Sequence, residues 1–68
     1  MINTIRVERA IQRMTQQELA ARVGVTRQTI TSIEVGKYVP STVLALKIAF
    51  VFGKSVDEIF KLEAVDWE

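Results

Sequence analysis

The 68-residue sequence contains no cysteine and no histidine. Disulfide bonds, thiolate or imidazole metal sites and catalytic cysteine or histidine are therefore excluded, and only weak carboxylate metal sites remain conceivable. The three glycines stand singly, so a glycine-rich phosphate loop is absent as well. The acidic residues have simpler roles in helix caps and on helix surfaces than in acid–base catalysis. We expect no enzymatic activity, no cofactor, no metal and no small-molecule ligand.

Long apolar runs are also missing. The first residues lack the apolar segment of a signal peptide. The apolar stretch 45–52 is too short for a membrane span and is interrupted by Lys47. Because 49% of the residues are hydrophobic, the chain is expected to be globular. Its length indicates one domain over residues 1–68, and we expect a cytoplasmic protein with no membrane partner.

Negative charge is scarce in most of the chain. Residues 1–54 hold eight basic and three acidic residues, whereas residues 55–68 hold one basic and five acidic residues. A basic body with an acidic end suits a protein that rests one face on phosphates and keeps the other end away from them. From charge alone, an ordinary soluble surface explains the pattern equally well.

The chain is organised around a central segment that reads as two short helices. Thr15 and Glu18 have the spacing of a capping box, which starts the first of these helices. Gly24 is expected to end it, because glycine tolerates the left-handed conformation of a helix C-terminus. The second helix is predicted from Arg27 to about Val35. Two short helices around a tight turn constitute a helix-turn-helix.

The second helix of this pair has two chemically different sides. Thr26 can cap its start, and Ile30 and Ile33 define its buried side. The opposite side carries amide, hydroxyl and guanidinium groups but no acid; its residues are Arg27, Gln28, Thr31, Ser32 and Val35. A merely solvated helix face usually mixes acids with bases. Glutamine and arginine can each make two hydrogen bonds to the edges of adenine and guanine.

These residues resemble the Cro/repressor-type helix-turn-helix regulators, the lambda-repressor-like (Xre-like) DNA-binding domains. The matching positions are Gln16, Glu18, Leu19, Ala20, Gly24, Val25, Thr26, Ile30, Ile33, Glu34, Gly36, Lys37, Pro40, Leu44, Leu46, Ala49 and residues 55–60. The resemblance thus covers nearly the whole chain. It implies an all-α fold of five helices with the helix-turn-helix at helices 2 and 3, to which we add a small ribbon between the chain termini.

The resemblance also implies roles toward double-stranded DNA. The residues expected to read bases are Arg27, Gln28 and Ser32, and Thr31 is expected to contact either a base or a phosphate. The residues expected to hold the DNA backbone are Gln16, Thr26 and Lys37, together with backbone N–H groups of the loop around Lys37.

In this family a basic residue in helix 1 pairs with the acid near the end of the third helix. Here those residues are Arg9 and Glu34. Glu34 falls beside Ile30 and Ile33 on the helical wheel, where a partly buried carboxylate needs a partner. We predict an ion pair between them; the alternative is that both are solvated surface charges.

The remaining helices are predicted from caps and apolar positions. Helix 1 spans about Ile5–Arg13, and helix 4 spans Thr42–Phe52 after a Ser41 cap. Helix 5 runs from Val56 to about Phe60. The helix 1 region is expected to turn Ile5, Ala10, Ile11 and Met14 toward the core. Helix 4 is apolar almost all round, so part of its surface is expected to meet another subunit.

The C-terminal tail, residues 61–68, alternates apolar and charged residues with a period of two. We predict a short strand that pairs with Met1–Ile5, with a bulge at residues 64–65; a frayed tail is the alternative. The residues expected at a homodimer interface are Phe50, Phe60, Leu62, Val65 and Trp67.

Taken together, the sequence predicts a sequence-specific DNA-binding transcriptional regulator. We expect a repressor that binds a palindromic operator as a homodimer, with helix 3 in the major groove. The first alternative is an antitoxin-like helix-turn-helix protein that binds a partner protein as well as DNA. The second is a purely structural interaction module, against which the acid-free face of helix 3 argues.

Overall fold

A computed structural model of the protein describes all 68 residues. The five helices are α1 (Ile5–Ile11), α2 (Gln16–Val23), α3 (Arg27–Glu34), α4 (Thr42–Phe52) and α5 (Val56–Ile59). Two short strands, β1 (Ile2–Asn3) and β2 (Phe60–Lys61), pair antiparallel, so that Ile2 lies opposite Lys61 and Asn3 opposite Phe60. The prediction of a five-helix fold with a small terminal ribbon is confirmed. No helix combines the length and apolar character that crossing a membrane requires.

Local caps place the ends of α2 and α3. The Thr15 hydroxyl accepts a hydrogen bond from Glu18 N–H, and the Glu18 carboxylate accepts one from Thr15 N–H, both at 3.0 Å. Gly24 ends α2 in the left-handed conformation at φ 77°. The Thr26 hydroxyl then accepts from Thr29 N–H at 3.2 Å and starts α3. Short-range hydrogen bonds therefore build the helix-turn-helix that the sequence predicts.

A cluster of 14 buried apolar residues holds the helices together. The face of α4 that lies in this core consists of Leu44, Ala45, Ile48, Ala49 and Phe52. The other side of α4 is open, because Val43, Leu46 and Phe50 are exposed. α2 packs against both α3 and α4, so the helix-turn-helix rests directly on the central helix.

Helix α1 is shorter than predicted, since it ends at Ile11 and not at Arg13. Arg13 adopts the left-handed conformation at φ 53°. Its N–H donates to the Ala10 carbonyl at 3.2 Å, and Met14 N–H donates to the Arg9 carbonyl at 2.8 Å. This is a Schellman-type helix end, for which the usual sequence signal is glycine.

The buried side of α1 also differs from the prediction. Ala10 and Ile11 were expected in the core but lie outside it, whereas Ile5 is fully buried as expected. Glu8, three residues after Ile5, takes the place beside the core and accepts a 2.9 Å hydrogen bond from Lys54 Nζ. A carboxylate is tolerated there because that ion pair compensates for its lost hydration.

The tail is a strand only at its beginning. Pairing with the N-terminal segment stops at Lys61, and Ala64–Trp67 forms a turn of 3-10 helix. The Asp66 carboxylate accepts from Glu63 N–H at 2.7 Å and caps that turn. The prediction of a strand over residues 61–68 is therefore wrong beyond Lys61, because this local cap competes with the alternating pattern.

Phe60 is a second correction in this region. The sequence predicted that helix 5 ends at about Phe60 and that Phe60 lies at a dimer interface. It begins β2 and is only 6% exposed, within the core cluster. It is therefore not available to a partner.

Candidate nucleic-acid interface

Helix α3 carries its polar residues on the side that faces away from the core. Ile30 and Ile33 are buried and anchor the helix. The four residues predicted to read bases lie on the outer side and define what we call the α3 face: Arg27, Gln28, Thr31 and Ser32. The first three are exposed and Ser32 is half-buried. The structure thus brings all four together on one accessible surface.

The three residues predicted to contact the DNA backbone flank the α3 face. Gln16 is the first residue of α2, and Thr26 directly precedes α3. Lys37 follows the end of α3, and its side chain is exposed. Two of the loop N–H groups predicted to receive a phosphate are not free, because those of Lys37 and Tyr38 both donate to the Ser32 carbonyl, at 2.9 and 3.3 Å. The N–H of Val39 and the side chain of Lys37 remain for such a contact.

An ion pair lies beneath the α3 face. Arg9 Nε donates to Glu34 Oε2 at 2.7 Å, and the Arg9 NH2 group donates to Glu34 Oε1 at 3.1 Å. A third guanidinium bond joins Arg9 to the Met14 carbonyl at 3.0 Å. The Glu34 side chain is only 1% exposed, while that of Arg9 is 15% exposed. The pair therefore ties α1 to the end of α3 in a largely water-free environment.

Gln16 connects this ion pair to the surface. Its Nε2 donates to Glu34 Oε1 at 3.3 Å. Its Oε1 accepts from Thr31 Oγ1 at 3.1 Å and, more weakly, from Arg27 Nε at 3.4 Å. One side-chain amide therefore touches both the buried carboxylate and two residues of the α3 face.

Carboxylates around the α3 face are already bound. Glu34 is the one acid in α3, and it is buried against Arg9. Glu18 is held in the capping box, where the N–H and hydroxyl of Thr15 lower the pKa of its carboxyl below the ordinary value. No free acid repels a phosphate approaching Arg27 or Lys37, so the surface favours a polyanion.

Gln17, Thr29 and Tyr38 share this surface, although they were not among the residues predicted to contact DNA. Gln17 and Thr26 line a shallow depression together with Arg27, Gln28 and Thr31. Thr29 and Tyr38 line an adjoining one with Gln28 and Ser32. Gln17 could have been identified from the sequence, because it lies beside Gln16 in the first turn of α2. The sequence favours packing of Tyr38 on the edge of the domain over stacking on a base, and its place beside Gln28 and Ser32 depends on how the loop after α3 folds back.

The available chemistry is hydrogen bonding and charge. The α3 face offers guanidinium, amide and hydroxyl groups, and no set of three or more acidic, histidine or cysteine side chains is arranged to hold a metal ion. Such groups recognise planar hydrogen-bonding edges and phosphates.

A family model described as helix-turn-helix matches residues 5–59, which include all five helices. This chain belongs to the lambda-repressor-like helix-turn-helix family. Its membership points to a transcription regulator and not to an enzyme. Both strands and the 3-10 turn lie outside the matched region.

Close relatives extend the match to almost the full chain. An uncharacterised HTH-type transcriptional regulator of Methanocaldococcus jannaschii is 49% identical over 63 residues, which are 93% of this chain and 96% of that protein. An uncharacterised HTH-type transcriptional regulator of Archaeoglobus fulgidus is 49% identical over 69 residues, which are 100% of this chain and 97% of that protein. The Bacillus subtilis regulator YgzD is 46% identical over 63 residues, or 93% and 96%.

A solved structure supports the fold. The crystal structure of the clp gene regulator ClgR from Corynebacterium glutamicum matches with a TM-score of 0.74 and 28% identity. The match covers 79% of this helix-turn-helix chain and 57% of the ClgR chain, so this chain spans little more than half of ClgR.

Proposed function

We propose that this protein is a sequence-specific DNA-binding transcriptional regulator that inserts α3 into the major groove. The observation that carries the proposal is the α3 face, which is exposed, polar and free of unpaired acids. α3 has eight residues, and an α-helix about 10–12 Å across fits the major groove, which is about 12 Å wide. Family membership supports the same reading.

The residues divide into two roles. Arg27, Gln28 and Ser32 read base edges, and Thr31 contacts a base or a phosphate. Gln16, through its outward backbone N–H, holds a phosphate together with Thr26 and Lys37. Phosphate contacts orient the protein on the duplex, while base contacts carry its sequence preference.

A single copy presents one recognition helix and reads half a site. We infer that two copies bind a palindrome with their α3 helices about 34 Å apart, one turn of DNA. The longest dimension of one copy is 34 Å, so two adjacent copies can span that distance. A dimer placed across a promoter in the cytoplasm would block access of the polymerase, and we therefore propose a repressor.

Exposed apolar side chains supply a surface for the homodimer. Phe50 on α4 is 85% exposed and Trp67 is 77% exposed, and both are costly to leave in water. Leu62 and Val65 are exposed as well. With Phe60 in the core, these four residues form our candidate for the interface.

Selection of bound duplexes from a random oligonucleotide pool tests the proposed function. We expect enrichment of one inverted repeat, and binding of that repeat with two copies of the chain per duplex. Recovery of no preferred sequence would contradict sequence-specific binding. A reporter under the selected site is expected to be repressed, and activation would contradict the repressor role.

Light scattering tests the dimer separately. We expect a mass of two copies at micromolar concentration and a shift toward one copy for Phe50→Ser. Ile11→Ser is a matched control, because Ile11 is also exposed but lies on α1. A mass of one copy for the unmodified chain would contradict the dimer.

A further inference from the structure

The solvent side of α4 forms a shallow apolar groove with a positively charged rim. The groove has a volume of about 410 Å³. We call it the α4 groove, and the residues that line it are Arg22, Val43, Leu46, Lys47, Phe50 and Val51. Neither Arg22 nor Lys47 takes part in a salt bridge of the chain. The groove therefore combines exposed apolar side chains with two unpaired positive charges.

The end of the C-terminal tail has the opposite charge. Residues 62–68 carry three acidic residues and no basic residue. Every apolar side chain of this segment is exposed, and Trp67 is 77% exposed. The Glu68 side chain forms no salt bridge within the chain. The tail is thus a second exposed apolar surface, and its charge is complementary to that of the α4 groove.

The tail of a copy does not cover that copy's own groove. The ammonium group of Met1 binds the carboxylates of Glu63 and Asp66, at 2.8 and 3.1 Å, and holds the tail beside the β1–β2 ribbon. No residue of the tail lines the α4 groove. Each molecule therefore presents both surfaces at once, and neither has a partner within the chain.

Charge decides which of these surfaces meet when two copies associate. A symmetric dimer can bring groove to groove, tail to tail, or each groove to the tail of the other copy. The first arrangement places Arg22 and Lys47 of both copies close together, and the second does the same with the acidic tails. Like charges that face each other across an interface oppose association. Only the third arrangement places acidic side chains against basic ones.

We propose that the homodimer is held by two identical contacts, in each of which the α4 groove of one copy receives the tail of the other. Trp67 packs on Phe50 in each contact. The Glu68 carboxylate faces the ammonium group of Lys47 and the guanidinium group of Arg22. This inference rests on the homodimer of the proposed function and deepens it, because it states which surface of one copy binds which surface of the next.

The area of the two contacts is adequate for a stable dimer. An aromatic side chain buries about 150–250 Å², so the four aromatic side chains of the two contacts bury about 600–1,000 Å². The aliphatic side chains of the groove and tail raise this area toward the roughly 1,200 Å² of the smaller stable interfaces. The contacts use none of the residues of the α3 face.

A mixing experiment between two variants tests the reciprocal contact. Phe50→Ser damages both grooves of a dimer, whereas Trp67→Ser damages both tails. Each variant alone is expected to dissociate about a hundredfold more readily, which is about tenfold for each damaged contact. In a mixed dimer one contact is intact and the other carries both substitutions. Since the second loss costs little once the first of two touching side chains is gone, the mixed dimer is expected to be about tenfold tighter than either variant alone.

Sedimentation with one variant fluorescently labelled measures this recovery, at a concentration where neither variant associates by itself. Phe50 and Trp67 are exposed, so both variants are expected to keep the circular dichroism spectrum of the folded chain. Ile11→Ser is the matched control, because Ile11 is an exposed apolar residue on α1. It is expected to remain a dimer.

Exchange of charges tests the same contact independently. Lys47→Glu places an acid against the acidic tail, and Glu68→Lys places a base against the basic groove. Each single variant is expected to weaken the dimer about tenfold. The double variant Lys47→Glu/Glu68→Lys again has opposite charges at both contacts. Its dissociation constant is expected to return to within about threefold of the original value.

Two results would overturn the inference and leave the proposed function standing. One is a mixture of Phe50→Ser and Trp67→Ser that associates no more tightly than the separate variants, which would mean that like surfaces meet. The other is a double charge variant that is no tighter than the single ones, which would mean that Glu68 does not face Lys47. A mass of one copy for the unmodified chain would remove the homodimer and the inference together, while the selection of duplexes tests DNA recognition separately.

Discussion

Arg9 and Glu34, 25 residues apart in the chain, form a two-bond ion pair with N···O distances of 2.7 and 3.1 Å. The pair joins α1 to the end of α3, and its carboxylate also accepts from Gln16. It therefore supports the orientation of the helix that we propose to enter the groove.

Removing the carboxylate of this pair is expected to destabilise the domain. Glu34→Ala leaves the largely buried Arg9 guanidinium without its main partner, and the free energy of unfolding should fall by about 3 kcal/mol. Urea unfolding followed by circular dichroism measures the change. The double replacement Arg9→Met/Glu34→Leu, which leaves no unpaired charge, is expected to cost less. A Glu34→Ala protein that unfolds at the same urea concentration as the original would contradict the prediction.

Arg27→Ala and Lys37→Ala are expected to weaken DNA binding in different ways. Loss of Arg27 should remove about 1–3 kcal/mol of discrimination at one base pair. Loss of Lys37 should weaken all duplexes alike and reduce the slope of log affinity against log salt by about 1. Fluorescence anisotropy on selected and substituted duplexes at several salt concentrations separates the two effects. If both variants behave identically across sequences, the division into base and phosphate contacts is wrong.

Stability is expected to fall in acid through two capping boxes, Thr15 with Glu18 at the start of α2 and Ser55 with Glu58 at the start of α5. Hydrogen bonds from the N–H of Thr15 lower the pKa of the Glu18 carboxyl below its ordinary value of 4.5, and those from Ser55 lower the pKa of Glu58 likewise. Because both values are lower in the folded state, this stabilisation is complete above pH 4.5 and is lost as the pH falls through the folded-state values.

Unfolding measured between about pH 7 and about pH 2 checks this dependence. The double variant Glu18→Gln/Glu58→Gln keeps amide oxygens that can accept at the caps but cannot titrate, so its stability should decline less steeply in acid. Glu68→Gln, outside both boxes, is the control and should follow the original profile. An unchanged profile for the double variant would show that other groups control acid unfolding.

Arg13→Gly is expected to stabilise the domain by about 1 kcal/mol, because Arg13 holds a left-handed conformation that glycine adopts without a steric penalty. Thermal melting measures the gain. Gly24→Ala is the reverse control: Gly24 has φ 77°, and no neighbouring atom lies within 4 Å of the position that an alanine Cβ would take, so the cost comes from the backbone alone. Destabilisation by Arg13→Gly would indicate that the arginine side chain contributes more than its backbone conformation costs.

Much of the helix-turn-helix was predictable because its signals are local. The capping box of Thr15 and Glu18, the stop at Gly24 and the Thr26 cap each act over no more than one turn of helix. The composition of the α3 face also follows from helical periodicity once Ile30 and Ile33 are assigned to the core. The end of α1 at Ile11 was missed, because the left-handed residue that follows it is Arg13 and not the glycine that normally marks such an end.

The family, the helix starts and the set of α3 side chains that share a face could all be read from the order of the amino acids, since each depends on neighbouring residues or on helical geometry. The folded chain was needed to show that Glu8 and Phe60 are buried, that the tail turns after Lys61, and that Gln16 bridges Glu34 to Arg27. These features depend on partners far away in the chain. A local sequence pattern does not show whether a distant ammonium group will pair with the Glu8 carboxylate. Nor does it show where the pairing of the two strands will stop, or which carboxylate will orient the Gln16 amide.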